Sequence, residues 1–157
     1  MKKVVLLSMI SIGLLVTMGC NEDLDQVFDE QQVEIENYLV DKGWFDDAIR
    51  LDDGIWYIID EEGTGVEYPT SLSEVTVHYE GRLLDDTKFD SSFDRAAPLE
   101  ISLQSVITGW RIGIPLFKKG GKGKLFIPSK YGYGANGQGS IPGNAVLFFD
   151  IELIDFD

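Results

Sequence analysis

His78 is the first candidate for chemistry, because it is the only histidine in the 157-residue chain. Nucleophilic hydrolysis would need such a base beside a nucleophile, and the sequence has no G-x-S-x-G turn to present a serine. A metal site would need more His or Cys ligands than His78 and the single cysteine, Cys20. Since His78 lies in an alternating run beside Tyr79, we expect a buried or half-buried structural histidine.

Residues 132–137 match the G-x-G-x-x-G pattern of dinucleotide-binding folds. That pattern is meaningful only between a strand and a helix, where backbone N–H groups meet a pyrophosphate. Here residues 138–143 follow, with a Gly-, Ser- and Pro-rich composition that is typical of a loop. We therefore expect no nucleotide cofactor at this segment.

Aromatic side chains are concentrated at turns and element ends, beside glycine or aspartate. Five segments carry them: 77–81, 88–92, 106–110, 127–134 and 148–153. In this order and spacing they closely resemble the signature segments of FKBP-type peptidyl-prolyl cis/trans isomerases. Phe126, Phe148 and Trp56 match no pocket position of that family, and we expect them in the core.

The resemblance implies an apolar pocket with Trp110 as its floor, Asp90 and Arg95 as a polar pair beside it, and the backbone N–H of Ile107 as the donor to a bound peptide. The residues expected to act on the substrate bond are Tyr79, Phe89, Asp90, Trp110, Tyr133 and Phe149. Those expected to hold the peptide are Arg95, Leu99, Val106, Ile107 and Ile141, the last at the flap position.

Such a pocket needs no nucleophile, metal or cofactor. Rotation about an Xaa-Pro bond must break amide resonance, against a barrier of about 18–20 kcal/mol. Because the planar amide is more dipolar than the twisted one, a water-excluding pocket favours the twisted transition state. The resemblance thus implies an enzyme, a peptidyl-prolyl cis/trans isomerase, that assists the folding of exported proteins.

Two departures from the family pattern bear on turnover. Leu99 stands where the family often has an aromatic wall, and the loop from Tyr133 to Pro142 is one residue shorter, with Gln138 near a common histidine position. The alternative hypothesis is a non-catalytic module or chaperone adaptor that binds proline-containing segments. Under either hypothesis the resemblance implies polypeptide partners and ligands of the FK506 and rapamycin type.

The elements that must position these residues are mostly strands. Short β-branched and aromatic runs occupy 55–59, 75–79, 124–127 and 145–154, and the helical candidate 108–117 is kept short by Gly113 and Pro115. We predict an α+β fold, an antiparallel sheet wrapped around one short α-helix, preceded by a short N-terminal helix. The predicted isomerase domain spans 54–157.

The segment 21–36 contains seven carboxylates and no basic residue. Its start is typical of a solvated tether, but apolar residues at helical spacing predict a helix from about Asp25 to Lys42, packed on its own domain rather than dimerising. With a net charge of −14, the chain is a poor candidate for nucleic-acid binding. Five lysines between 118 and 130 are expected to balance surface acids.

The first residues resemble an export signal. Lys2 and Lys3 precede an apolar run that ends at Gly19-Cys20, which resembles a bacterial lipobox despite Thr17 in place of an aliphatic residue. We expect a signal peptide over 1–19, a lipidated acidic tether with a short helix over 20–53, and lipid modification of Cys20. These expectations place the protein at a membrane of the bacterial cell envelope, facing the periplasm or the cell surface.

Overall fold

The computed structural model of the protein describes residues 21–157. In chain order, this part contains α1 (Asn21–Lys42), β1 (Ile49–Arg50), β2 (Trp56–Glu61), β3 (Glu74–Leu83), β4 (Lys88–Ser91), β5 (Leu99–Ser102), α2 (Thr108–Gly113), β6 (Lys122–Ile127) and β7 (Leu147–Phe156). Among these elements, no helix has both the length and the apolar character needed to cross a membrane. The predicted signal peptide and Cys20 lie outside the described residues.

Within the described residues, the strands form one antiparallel sheet in the order β1-β2-β6-β7-β3-β4. The outer edge of β3 is shared, because β5 pairs with residues 74–77 and β4 with residues 80–82. Ser92 fills the gap between them: its N–H donates to the Tyr79 carbonyl at 2.9 Å, and its hydroxyl accepts from the Tyr79 N–H at 2.8 Å. Two short strands thus share one long strand without leaving the Tyr79 backbone unpaired.

Side chains that alternate along the strands give the sheet two faces. One face carries buried apolar residues such as Val77 and Leu125, and α2 packs against it. Gly109 of α2 is buried against the side chain of Ile127, where a Cβ would collide, so glycine allows the helix to lie directly on the sheet. A sheet curved around one short helix results.

Helix α1 packs on the opposite face. Ile35 and Leu39 are fully buried there, against Trp56, Phe126 and Phe148. The Phe126 and Phe148 rings stack with centroids 4.9 Å apart. Burial of each α1 side chain contributes about 1.5–3 kcal/mol, so packing on its own domain fixes this helix. The expected core position of Trp56, Phe126 and Phe148 is confirmed.

The predicted fold class is confirmed, and the four predicted strand runs correspond to β2, β3, β6 and β7 with shifted ends, whereas β1, β4 and β5 were not predicted. Both helices also differ from the prediction at one boundary. Helix α1 ends at Lys42 as predicted but begins at Asn21, so the acidic stretch expected to start as a tether is already helical. Acidic residues favour helix N-termini because they complement the macrodipole. Helix α2 stops at Gly113, and a 3-10 turn over Ile114–Leu116 contains Pro115, which cannot donate a helical hydrogen bond.

Candidate active site

A cavity of about 550 Å³ lies between the curved sheet and the start of α2. Ten of the eleven residues predicted to form the site line it: Tyr79, Phe89, Asp90, Leu99, Val106, Ile107, Trp110, Tyr133, Ile141 and Phe149. The eleventh, Arg95, touches the cavity through its contacts with Tyr79 and Asp90. Side chains from β3, β4, β5, α2, β7 and the loop before β7 therefore meet at one place.

The aromatic rings are packed edge to face. Trp110, which is 5% exposed, has its ring centroid 5.0 Å from that of Tyr79, with the planes at 85°, and 5.3 Å from that of Phe149, at 76°. Phe89 meets Phe149 at 5.6 Å and 87°. Edge-to-face pairs of this kind contribute about 0.5–1.5 kcal/mol beyond burial. The aromatic walls of the cavity therefore hold one another in place through these contacts.

Tyr79, Asp90 and Arg95 form a polar triad at the cavity edge. The Tyr79 hydroxyl donates to one oxygen of Asp90, and Arg95 donates to the other. The second Arg95 amino group donates to the Tyr79 hydroxyl at 2.9 Å. Each group of the triad thus satisfies another, although all three border an apolar space.

The hydrogen bonds and burial within the triad shift the pKa values of its groups. Burial alone would raise the pKa of Asp90, but hydrogen bonds from Tyr79 and Arg95 outweigh it, and the pKa is lowered below its usual value. Burial raises the pKa of Tyr79, as does its hydrogen bond to Asp90. Burial also raises the pKa of Tyr133, helped by the Asp90 charge. At neutral pH the cavity therefore presents neutral phenols and one paired carboxylate.

The start of α2 presents a free backbone donor. Ile107 precedes the helix with φ −56° and ψ 149°, and its carbonyl accepts from the N–H groups of Trp110 and Arg111. Its own N–H has no hydrogen-bond partner among the described residues. The indole N–H of Trp110 is likewise buried without a partner in this part of the chain. A bound peptide carbonyl would meet an unsatisfied donor at Ile107.

The loop over residues 129–144, here called the flap segment, supplies the remaining wall. It contributes Tyr133 and Ile141, as predicted, and also Gln138, Gly139 and Ser140. Ile101 and Ser105 are further lining residues that sequence reasoning did not include. Ile101 follows Leu99 by two positions on β5, so strand alternation could have indicated it. No sequence signal marks Ser105 as a lining residue.

The residues set aside at the sequence level lie elsewhere. His78 points away from the cavity, is half-buried, stacks on Phe93 at 4.7 Å and pairs with the Ser92 hydroxyl at 2.9 Å, as expected of a structural histidine. The G-x-G-x-x-G match lies inside the flap segment and leads into a loop. Across residues 21–157, no group of three or more His, Cys, Asp or Glu residues is arranged to hold a metal ion.

Four of the five lysines between 118 and 130 face acidic partners, and the fifth, Lys130, lies over the rings of Phe28 and Tyr131. Lys118 lies 3.1 Å from Glu62, Lys119 lies 2.6 Å from Asp155, and Lys122 lies 3.3 Å from Glu61. Exposed pairs of this kind contribute little to stability. Their arrangement agrees with the expected balancing of surface acids.

Residues 65–154, more than half of the chain, match the model of the FKBP-type peptidyl-prolyl cis-trans isomerase family. The chain belongs to this family. The fold described above is thus that of an FKBP-type domain, and α1, which precedes residues 65–154, packs on the sheet face opposite the cavity.

Curated relatives share this region. The FKBP-type peptidyl-prolyl cis-trans isomerase FkpA of Aeromonas hydrophila is 45% identical over 125 residues, which cover 80% of this chain and 46% of that protein. The FK506-binding protein of Neisseria meningitidis serogroup C is 56% identical over 84 residues, covering 52% of this chain and 77% of that protein. The chain spans about half the length, or less, of the FkpA relatives that it matches.

Solved structures of FKBP-type and other peptidyl-prolyl isomerases have a similar fold. The crystal structure of FkpA from Escherichia coli superposes with a TM-score of 0.73 at 34% identity, covering 87% of this chain and 63% of that one. A peptidyl-prolyl cis-trans isomerase from Pseudomonas syringae pv. tomato gives 0.72 at 31% identity, covering 88% of this chain and 99% of that one.

Proposed function

We propose that this protein accelerates cis/trans isomerisation of Xaa-Pro bonds in polypeptides. The observation that carries the proposal is the convergence of Tyr79, Phe89, Trp110 and Phe149 on one cavity beside the free N–H of Ile107. Membership of the FKBP-type family and relatives named as peptidyl-prolyl isomerases support the same activity.

The proline ring binds on Trp110. The apolar face of the proline ring displaces water from the indole and from the neighbouring aromatic rings. The Ile107 N–H donates to a carbonyl of the peptide. With the ring held, only the carbonyl before proline must turn. Holding the reacting bond in this way removes part of the entropic cost of reaching the twisted state.

The cavity stabilises the twisted amide over the planar one. Resonance loss leaves the twisted amide less dipolar, so transfer from water to an apolar site costs it less than it costs the ground state. Edges of Tyr79, Phe89 and Phe149 face the turning carbonyl, and aromatic edges carry partial positive charge. Asp90 transfers no proton; its part is to hold Tyr79 and Arg95 in place.

The expected substrates are proline-containing segments of exported proteins, and macrolides of the FK506 type are expected to compete for the same cavity. A volume of about 550 Å³ suits such ligands, since pockets for drug-sized molecules measure roughly 300–1,000 Å³. Leu99 lines the cavity and leaves it wider than an aromatic residue would, so we expect it to alter substrate preference and macrolide affinity.

The proposed location is a bacterial envelope membrane, with the chain held by a lipid on Cys20 and facing the periplasm or the cell surface. The support is the sequence around Cys20: two lysines, an apolar run and Gly-Cys. Labelled palmitate should be incorporated into the chain in bacterial cells and not into a Cys20→Ala variant. Equal labelling of both would refute the anchor.

The test of activity is the isomerisation rate of a short Xaa-Pro-Phe peptide, measured by exchange NMR. Acceleration by the purified protein, reduced in Phe89→Ala and blocked by an FK506-type macrolide, is the expected result. Peptide binding without acceleration, in a sample shown to be folded, would instead favour the non-catalytic binding module.

A further inference from the structure

Gln31, in α1, joins the two ends of the flap segment with a single amide. Its Nε2 donates to the Asn144 carbonyl at 2.7 Å and to the Ser129 hydroxyl at 2.9 Å. Its Oε1 accepts from the Ser129 N–H at 2.9 Å. The side chain is only 4% exposed, on the sheet face opposite the cavity. A buried amide with all these bonds is a strong positional constraint, because each broken bond would leave a polar group unsatisfied.

The flap segment between those ends is internally tied. The Asn144 N–H donates to the Gly134 carbonyl at 2.9 Å. Gln138 and Ile141 exchange two backbone hydrogen bonds, each of 2.9 Å. Asn144 itself has φ +56°, a conformation that asparagine tolerates better than most residues. A shift at Ser129 or Asn144 is therefore transmitted to the residues that line the cavity.

We propose that Gln31 is a positioning residue for the proposed isomerase site: it sets the placement of the flap segment, and through it the position of Tyr133 and Ile141 against the bound peptide. The inference rests on the proposed function and adds to it a role for α1, which forms no hydrogen bond with a cavity-lining residue in the described part of the chain. By fixing both ends at once, Gln31 couples the docking of α1 to the width of the cavity mouth.

Gln32 provides a matched control on the same helix. It is 7% exposed, and its amide bonds to the Gly54 carbonyl, the Trp56 indole N–H and Arg50. It contacts no residue of the flap segment by hydrogen bonds within the described structure. Gln32 thus anchors α1 as Gln31 does, without reaching the cavity wall.

The experiment compares Gln31→Met with Gln32→Met in the purified protein. Methionine keeps the side-chain length and the helix propensity but removes the amide. Three quantities are measured: the melting temperature, kcat/KM on an Xaa-Pro-Phe peptide, and hydrogen exchange of the Gln138 and Ile141 amides. Both variants should melt at lower temperature than the parent.

Only Gln31→Met should reduce kcat/KM, by about tenfold, which corresponds to ~1.4 kcal/mol, and only it should speed exchange at Gln138 and Ile141. Equal kcat/KM in the two variants, or unchanged flap exchange in Gln31→Met, would overturn the proposal. Hydrogen exchange decides the proposal even if the parent proves inactive, in which case only the proposed function fails. Should Gln31→Met not fold, Gln31→Asn, whose amide is one methylene short of both ends of the flap segment, must speed the same exchange, and an unchanged rate refutes the positioning role.

Discussion

The Tyr79 hydroxyl donates a hydrogen bond to the Asp90 carboxylate across the junction of β3 and β4. Arg95 reaches both groups, so a phenol, a carboxylate and a guanidinium are held together at the rim of an apolar cavity. Because the Asp90 carboxylate is paired with Arg95, the triad adds no unpaired charge to the aromatic walls. These hydrogen bonds orient the Tyr79 ring, and none of the three groups has to change its protonation state near neutral pH.

Replacing Asp90 by alanine should reduce catalysis while leaving the protein folded. The Tyr79 hydroxyl and Arg95 would lose their shared acceptor. Because Asp90 is 41% exposed, we expect a cost of only about 1 kcal/mol, or roughly fivefold in kcat/KM. Asp94→Ala is the control, since Asp94 is 60% exposed and pairs only with Lys88 outside the cavity. Equal activity of the Asp90 variant and the control would contradict the triad's role.

We expect kcat/KM to be independent of pH near neutrality and to decrease only in acid. The pKa of Asp90 is lowered in the folded protein, so its contribution is fully present above the ordinary aspartate pKa of about 3.9 and is lost as the pH falls through the folded value. Because burial raises the pKa of Tyr79, no alkaline loss is expected from it below about pH 10. The kcat/KM of the parent and of Asp90→Asn should be measured against pH; an acid limb in the parent centred above about pH 5 would show a different titrating group.

Replacing Trp110 or Trp56 by leucine should affect activity differently, because the two buried tryptophans pack on opposite faces of the sheet. Trp110→Leu removes the cavity floor and its edge-to-face contacts with Tyr79 and Phe149, so kcat/KM should fall by about tenfold or more, given ~0.5–1.5 kcal/mol for each aromatic pair. Trp56→Leu should lower stability and leave kcat/KM unchanged. Isomerisation rates and urea unfolding of both variants test this, and similar losses of activity would refute the separation of the two faces.

Gly81→Ala should disturb the cavity without altering any lining side chain. Gly81 lies under the rings of Phe89 and Phe149, and an added Cβ would come within 3 Å of both. At least one ring must move, so we expect a reduced kcat/KM and altered aromatic proton shifts in NMR spectra. An alanine variant with unchanged shifts for both phenylalanines would contradict this packing.

Docking of α1 should be a major source of stability. Leu39→Ala removes a fully buried side chain from the α1 interface, at a cost of about 2–5 kcal/mol. Val40→Ala, one residue further and 60% exposed, should change stability by less than about 0.5 kcal/mol. Urea unfolding measures both. Equal midpoints would mean that α1 is not held by this face.

Four of the seven strands in the described residues, β2, β3, β6 and β7, and the short α2 were predictable because their signals are local. Alternation placed a strand at 75–79, and a short apolar run placed another at 124–127. Gly113 and Pro115 indicated that the helix predicted over 108–117 would be short, although not that it ends at Gly113. The lining of the site followed from the resemblance, residue by residue. Each of these inferences depended on neighbours in sequence or on a family pattern.

The role of Gln31 and the boundary of α1 were not predictable in this way. A glutamine in an acidic helix suggests a solvated position, yet Gln31 is buried against Ser129 and Asn144. These partners lie 98 and 113 positions away in the sequence, so no local pattern indicates them. Gln138, Gly139 and Ser140 likewise reach the cavity only through the fold of the flap segment. Long-range pairing of polar groups leaves no periodic trace in the sequence.

The central position of β7 has a consequence for how the chain acquires its structure. β7 pairs with both β3 and β6 and follows both in the sequence. During synthesis from the N-terminus, β3 and β6 therefore emerge before the strand that pairs with both of them, and their edges stay open until β7 follows. Such non-local pairing slows folding, and open edges invite association with other chains. A chain of this topology therefore passes through an interval in which the edges of β3 and β6 are still open to other chains.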